Sequence, residues 1–148
     1  MEAIIFCGIQ ATGKTSFYKQ HFFDTHMRIS MDQLHTRNKE GRFLDVCFSV
    51  QQPFVVDNTN VGKADREKYI TLAKQYKFKV TGYYFKSALA GAIARNSHRS
   101  GKAFIPEVGI RGTYSRLELP SPEEGFDELY FVEIVDNTFV IKPWTHEV

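Results

Sequence analysis

The sequence predicts an α/β domain whose central sheet is mostly parallel and flanked by helices, and three observations carry that expectation. Short apolar, β-rich runs alternate with helical periodicities along the chain. A glycine-bounded loop separates the first such run from the first helix, at the end of the sheet where open α/β folds place their ligands. Finally, 148 residues at 43% hydrophobic composition are enough for one core and too few for two, so residues 1–148 read as a single domain.

The first run, Ala3-Ile4-Ile5-Phe6-Cys7, reads as a buried strand. It leads into Gly8-Ile9-Gln10-Ala11-Thr12-Gly13-Lys14-Thr15, a match to G-x-x-x-x-G-K-[ST], and then into a helical stretch over residues 14–23. Glycines at both ends let the backbone wrap its N–H groups around phosphate oxygens, and the positive end of the new helix points at the same charge. Lys14 is expected to reach the β- and γ-phosphates of ATP and Thr15 to hold Mg²⁺. With Ser16 added, residues 8–16 form the expected nucleotide-binding set. The loop and its context specify a P-loop NTPase or kinase fold.

Residues 26–30 are a candidate second strand, and Asp32 falls just past its carboxyl end, where a carboxylate meets substrate; its plainer role is to cap the next helix. Over residues 33–51 the helical spacing puts Phe43, Cys47 and Val50, with Leu44 and Phe48 alongside, on the core face, with an interruption near Gly41. His35, Arg37, Lys39 and Arg42 make a basic stretch, read as a solvated helix face or as a contact to an acceptor's phosphate. Pro53-Phe54-Val55-Val56-Asp57 has the form of a Walker-B strand, and Asp57 would orient the metal ion or its waters. Asn58-Thr59-Asn60 is expected to cap the following helix, whose buried stripe is Tyr69, Leu72, Ala73 and Tyr76.

Residues 79–85 are another β-rich run. Ser87 is expected to N-cap a helix over residues 88–96, and Arg95 and Arg99 share one face if that helix continues. After the turn at Ser100-Gly101-Lys102, Pro106 restarts a helix toward Leu117. Between residues 95 and 116 five cations face the single acid Glu107 in a chain of formal charge +2, so positive charge is concentrated here. A basic helical pair is what a lid over a triphosphate requires. Beyond the loop at residues 120–125, residues 130–135 and 138–141 make a terminal hairpin across Asp136-Asn137.

Composition excludes several classes. The short N-terminal apolar run and Glu2 fit neither a signal peptide nor a membrane span, so a soluble, cytoplasmic protein is expected with no membrane partner. Cys7 and Cys47 read as reduced core residues, and no Cys/His spacing marks a metal site.

On these residues the chain resembles the P-loop polynucleotide 5′-kinases, the kinase module of nucleic-acid end-healing enzymes. The matching pieces are the phosphate loop, Asp32, Val55-Val56-Asp57-Asn58-Thr59-Asn60, Arg95-Asn96-Ser97-His98-Arg99, Ile105-Pro106 and Pro120-Ser121-Pro122-Glu123-Glu124-Gly125-Phe126. Ser30-Met31-Asp32 stands where several members carry Asn-Arg-Asp. The resemblance implies transfer of the γ-phosphate of ATP to 5′-hydroxyl ends of DNA or RNA, with Asp32 as general base. Lys14 and Arg99 complete its catalytic set, Thr15 and Asp57 serve Mg²⁺, and Arg95 and Arg99 lie on the donor phosphates. It also implies a fused or partner phosphatase, phosphohydrolase or ligase module. Two alternatives share the donor side: a small-alcohol kinase of the same architecture, such as a zeta-toxin-like or sugar or antibiotic phosphotransferase, and a nucleotide switch that transfers nothing. Against the switch, no Asn-Lys-x-Asp guanine motif occurs.

Overall fold

The computed structural model describes residues 1–145. Among the described residues six strands form one sheet: β1 (Glu2–Cys7), β2 (Met27–Ile29), β3 (Phe54–Val56), β4 (Lys79–Phe85), β5 (Glu128–Val135) and β6 (Thr138–Pro143). Their order is β2-β3-β1-β4-β5-β6, parallel throughout except for the antiparallel β5–β6 pair. The helices are α1 (Lys14–His21), α2 (Met31–Leu34), α3 (Arg37–Val50), α4 (Lys63–Gln75), α5 (Leu89–Asn96) and α6 (Glu107–Ser115).

Parallel strands covered on both faces read as unbroken apolar runs, which is why β1 shows no polar alternation. Its Ala3 and Ile5 face a core built with Leu44, Cys47 and Phe48 of α3 and Tyr69, Ile70 and Ala73 of α4. Ile4 and Phe6 face the opposite side, against Phe17 and Tyr18 of α1 and Phe22. A third cluster lies at the carboxyl end of the sheet, where Ile9 and Ala11 of the phosphate loop pack on Val61, Ala92 of α5 and Ile110 of α6. The basic helical pair therefore sits on the loop itself. Asp136 and Asn137 both take positive φ, 51° and 59°, the geometry of a tight hairpin turn that Asp and Asn tolerate. Among the described residues no helix is long and apolar enough to cross a membrane.

Several local expectations are corrected. The helix expected over residues 33–51 is two helices: Ser30 caps α2, accepting from the Asp32 N–H, and Thr36 caps α3, accepting from Lys39. Ser30, not Asp32, is thus the cap. Gly41 interrupts nothing, since α3 runs through it. The core face of α3 is Glu40, Leu44, Cys47 and Phe48, while Phe43 and Val50 point outward. Tyr76 is likewise exposed. Asn58-Thr59-Asn60 does not cap α4, because Gly62 occupies that place with Asp65 accepting from its N–H. Ser87 does not cap α5, which starts after Ala88; its hydroxyl accepts from Ile9 N–H and donates to the Phe85 carbonyl. α5 ends at Asn96, so Arg99 lies beyond the helix that carries Arg95.

Candidate active site

Four hydrogen bonds fix the phosphate loop. Gly8 N–H donates to the Thr59 carbonyl at 2.9 Å and Ile9 N–H to Ser87 Oγ at 3.1 Å. Thr12 Oγ1 donates to the Ile9 carbonyl at 2.8 Å, and Arg95 Nε of α5 donates to the Ala11 carbonyl at 2.6 Å. Gly13 enters α1 at φ 94°, and a Cβ there would stand 2.7 Å from the Phe139 ring of β6, so both backbone and space demand glycine. No side chain caps α1, and the first-turn N–H groups of a helix have no intrahelical partners.

Lys14 closes the loop on itself, its ammonium donating to the carbonyls of Gly8 at 2.9 Å and Ile9 at 2.7 Å. Burial lowers its pKa to about 8, opposed by the charges of Asp57 and Asp32 and reinforced by Arg99. Lys14, Asp57, Asp32 and Arg99 therefore share one electrostatic neighbourhood. Gln10 links the loop to the lid through Nε2 to Thr113 Oγ1 of α6 at 2.9 Å, while its buried Oε1 has no partner among the described residues.

Beneath the loop, Thr15 Oγ1 donates to Asp57 Oδ2 at 2.9 Å. A hydroxyl and a carboxylate are the hard oxygen donors that Mg²⁺ takes when substrate phosphates and water supply its other ligands. Among the described residues no group of three or more His, Cys, Asp or Glu side chains is placed to chelate an ion, so the residues present fit that shared arrangement and not an all-protein cage. One functional candidate escaped the sequence reading. Arg28, at the centre of β2, donates through Nε to Asp57 Oδ2 at 2.8 Å and through Nη2 to Thr15 Oγ1 at 3.3 Å. Its only sequence signal is a charged residue in the middle of a strand whose neighbours are apolar.

Asp32 is exposed in the first turn of α2, at the carboxyl end of β2. That turn is fixed from behind. Met31 N–H donates to Asn58 Oδ1 at 2.9 Å, and Asn58 Nδ2 donates to Glu40 Oε2 at 3.3 Å. The buried Glu40 carboxylate also accepts from Tyr69 Oη at 2.8 Å and from Arg37 and Lys68. Burial alone would raise the Glu40 carboxyl, but Tyr69, Lys68 and Arg37 outweigh it and hold it below the usual carboxylate range. Asn58 is thus a spacer between this network and the backbone that carries Asp32.

Within the lid, Arg95 is spent on the Ala11 carbonyl, and Arg99 Nη1 reaches the Ala103 carbonyl at 3.4 Å. Gly91 leaves room for the Arg95 guanidinium, which lies 3.4 Å from where a Cβ would stand. Burial and the charge of Arg99 both lower the Arg95 pKa. Two guanidinium groups held near one another are poised to gain from an anion between them. Ser16 is exposed on α1.

The AAA domain family model (AAA_33) matches residues 4–120. A bifunctional polynucleotide phosphatase/kinase of Schizosaccharomyces pombe is 24% identical over 130 residues, 84% of this chain and 32% of that protein. The chain therefore spans about a third of the length of that curated relative. Among solved structures, a gluconokinase from Sinorhizobium meliloti superposes with a TM-score of 0.63 at 19% identity, over 88% of this chain and 81% of that one. Kti12 of Chaetomium thermophilum, in complex with ADP-AlF3, gives 0.64 at 15% identity over 88% of both chains. At these identities the two structures share the fold.

Proposed function

The chain belongs to the AAA domain family, as a P-loop kinase domain, and on that premise we propose that it transfers the γ-phosphate of ATP to the 5′-hydroxyl end of DNA or RNA. The observation that carries this reading is Asp32: an exposed carboxylate beyond the end of β2, close enough to the phosphate loop for Lys14 to feel its charge. Phosphoryl transfer asks mainly for positioning and neutralised charge. The loop amides and Lys14 hold the donor phosphates, and Arg95 and Arg99 turn from backbone carbonyls to the transferring group as the lid engages. Asp32 accepts the hydroxyl proton as the new P–O bond forms and the bond from the γ-phosphorus to the β,γ-bridging oxygen breaks, with ADP as the leaving group. Thr15 and Asp57 would hold a Mg²⁺ ion, which would supply neutralising charge to the donor phosphates. A polyanionic acceptor is favoured by the cations of residues 95–116 and by the similarity to a polynucleotide phosphatase/kinase.

Transfer of labelled phosphate from ATP to 5′-hydroxyl single-stranded DNA and RNA tests the reading, run at 50 and 200 mM salt. With three phosphate contacts the fourfold rise in salt lowers kcat/KM roughly 20-fold. A rate that ignores salt, or transfer only to a sugar or other small alcohol, replaces the polynucleotide with a neutral acceptor. Nucleotide hydrolysis without transfer to any hydroxyl overturns the kinase.

Lys14 gives a separate check on the donor side. Burial lowers its pKa to about 8, and phosphate beside it restores the protonated form. Binding of ADP at pH 8 therefore takes up roughly half a proton, and affinity falls as the pH rises from 8 toward 10. Calorimetry in two buffers of different ionisation heat measures the uptake, and a Lys14→Met variant abolishes it.

A further inference from the structure

The geometry points to a distinct role for Arg28: it is a resident cation that competes with the divalent ion for the Thr15–Asp57 pair. This rests on the reading of those two side chains as the metal's protein ligands. The Asp57 side chain is 2% exposed, and a carboxylate so buried needs a compensating charge. Arg28 supplies it at 2.8 Å. Asp57 Oδ2 thereby accepts from two donors at once, Thr15 Oγ1 and Arg28 Nε. The Thr15 hydroxyl gives its hydrogen to Asp57 and accepts one from Arg28 Nη2, so a single lone pair remains on the oxygen that the metal would use.

Two further features make the arginine a competitor and not a fixed strut. Its backbone is pinned, since Arg28 lies opposite Val55 in the β2–β3 register, beside the strand that ends just before Asp57. Its side chain, however, is 23% exposed, so the guanidinium has a path to solvent. The other groups that face this pair are Lys14, which feels Asp57, and Tyr18, which feels both Arg28 and Asp57. Lys14 is engaged with the loop carbonyls and the Tyr18 hydroxyl with the His26 carbonyl. Arg28 is therefore the group that a metal meets first. Its charge holds Thr15 and Asp57 together, and it moves aside when a nucleotide brings the ion in.

The test counts bound Mn²⁺ by electron paramagnetic resonance on the full chain with ADP, comparing wild type with Arg28→Gln and Arg28→Lys. The glutamine variant binds Mn²⁺ roughly tenfold more tightly than wild type, and the lysine variant, which keeps the charge, stays near the wild-type value. Equal or weaker Mn²⁺ binding by Arg28→Gln overturns the competition. Should that variant fail to fold, the wild type decides: the ¹⁵Nε–H resonance of Arg28 shifts when Mg²⁺ is added to the ADP complex, and an unmoved resonance overturns the inference. A wild-type chain that binds no ADP overturns this inference and the kinase reading together, whereas ADP binding with unaltered Mn²⁺ affinity overturns this one alone.

Discussion

Asp32→Asn is expected to lower phosphoryl transfer by roughly 10²- to 10⁴-fold, about 3–5 kcal/mol of barrier, while leaving ADP binding intact or slightly tighter. The direction on binding follows from the electrostatics. Asp32 is one of the acids whose charge reaches Lys14, and removing a negative charge from that neighbourhood favours an anionic ligand. The fold has little stake in the side chain, which is exposed, while the structural bonds of its turn run through backbone: Met31 N–H to Asn58 and Asp32 N–H to Ser30 Oγ. Single-turnover label transfer and equilibrium ADP binding, measured on the same preparation, separate the two effects. A loss of less than about fivefold in transfer assigns the base to another group, and a parallel loss of ADP affinity makes Asp32 part of the donor site.

How much of this was legible in the sequence depends on how far each feature reaches along the chain. The phosphate loop and its flanking strand and helix are one contiguous stretch, so covalent spacing alone defines them. β4 falls on the residues its β-rich run marks. The face of α3 was legible only in part, because two stripes satisfy helical spacing there: Leu44, Cys47 and Phe48 are buried as that spacing predicts, while Phe43 and Val50 are exposed. Phe43-Cys47-Val50 is the more apolar; Glu40-Leu44-Cys47-Phe48 is the one buried. The burial of Glu40 becomes affordable only through Tyr69, Lys68 and Asn58, which arrive from α4 and the end of β3. Asn58 and Asn60 mislead in the same way. Locally they look like caps, yet Asn58 is used on Met31 and Asn60 on the Phe6 carbonyl, 54 residues away. Arg28 belongs with them, since its meaning lies in Asp57, 29 residues on. Within the site, then, the loop could be read from the chain, whereas the groups that position Asp32 and neutralise Asp57 depend on the sheet order.

Glu124→Leu is expected to destabilise the fold by about 3–5 kcal/mol, because it strands a buried cation. Arg66 of α4 is 0% exposed. It pairs in a fork with Glu124, Nε to Oε1 at 2.8 Å and Nη2 to Oε2 at 3.1 Å. Its Nη1 donates to the carbonyls of Asn60 at 2.8 Å and Val61 at 3.0 Å and contacts Cys7 Sγ at 3.4 Å. Glu124 itself is fixed by the Ser121 N–H at 2.8 Å. The pair thus clips the segment before β5 onto the loop that follows Asp57, at the end of the strand leading into the phosphate loop. For a chain of this length the loss corresponds to a fall in Tm of roughly 6–20 °C. The double variant Arg66→Met with Glu124→Leu removes the stranded charge and recovers most of the stability, since a buried ion pair replaced whole by apolar side chains costs little. Urea unfolding of the two variants decides the point. If the double variant is as unstable as the single, the clip matters through the geometry of its five hydrogen bonds and not through the uncompensated charge.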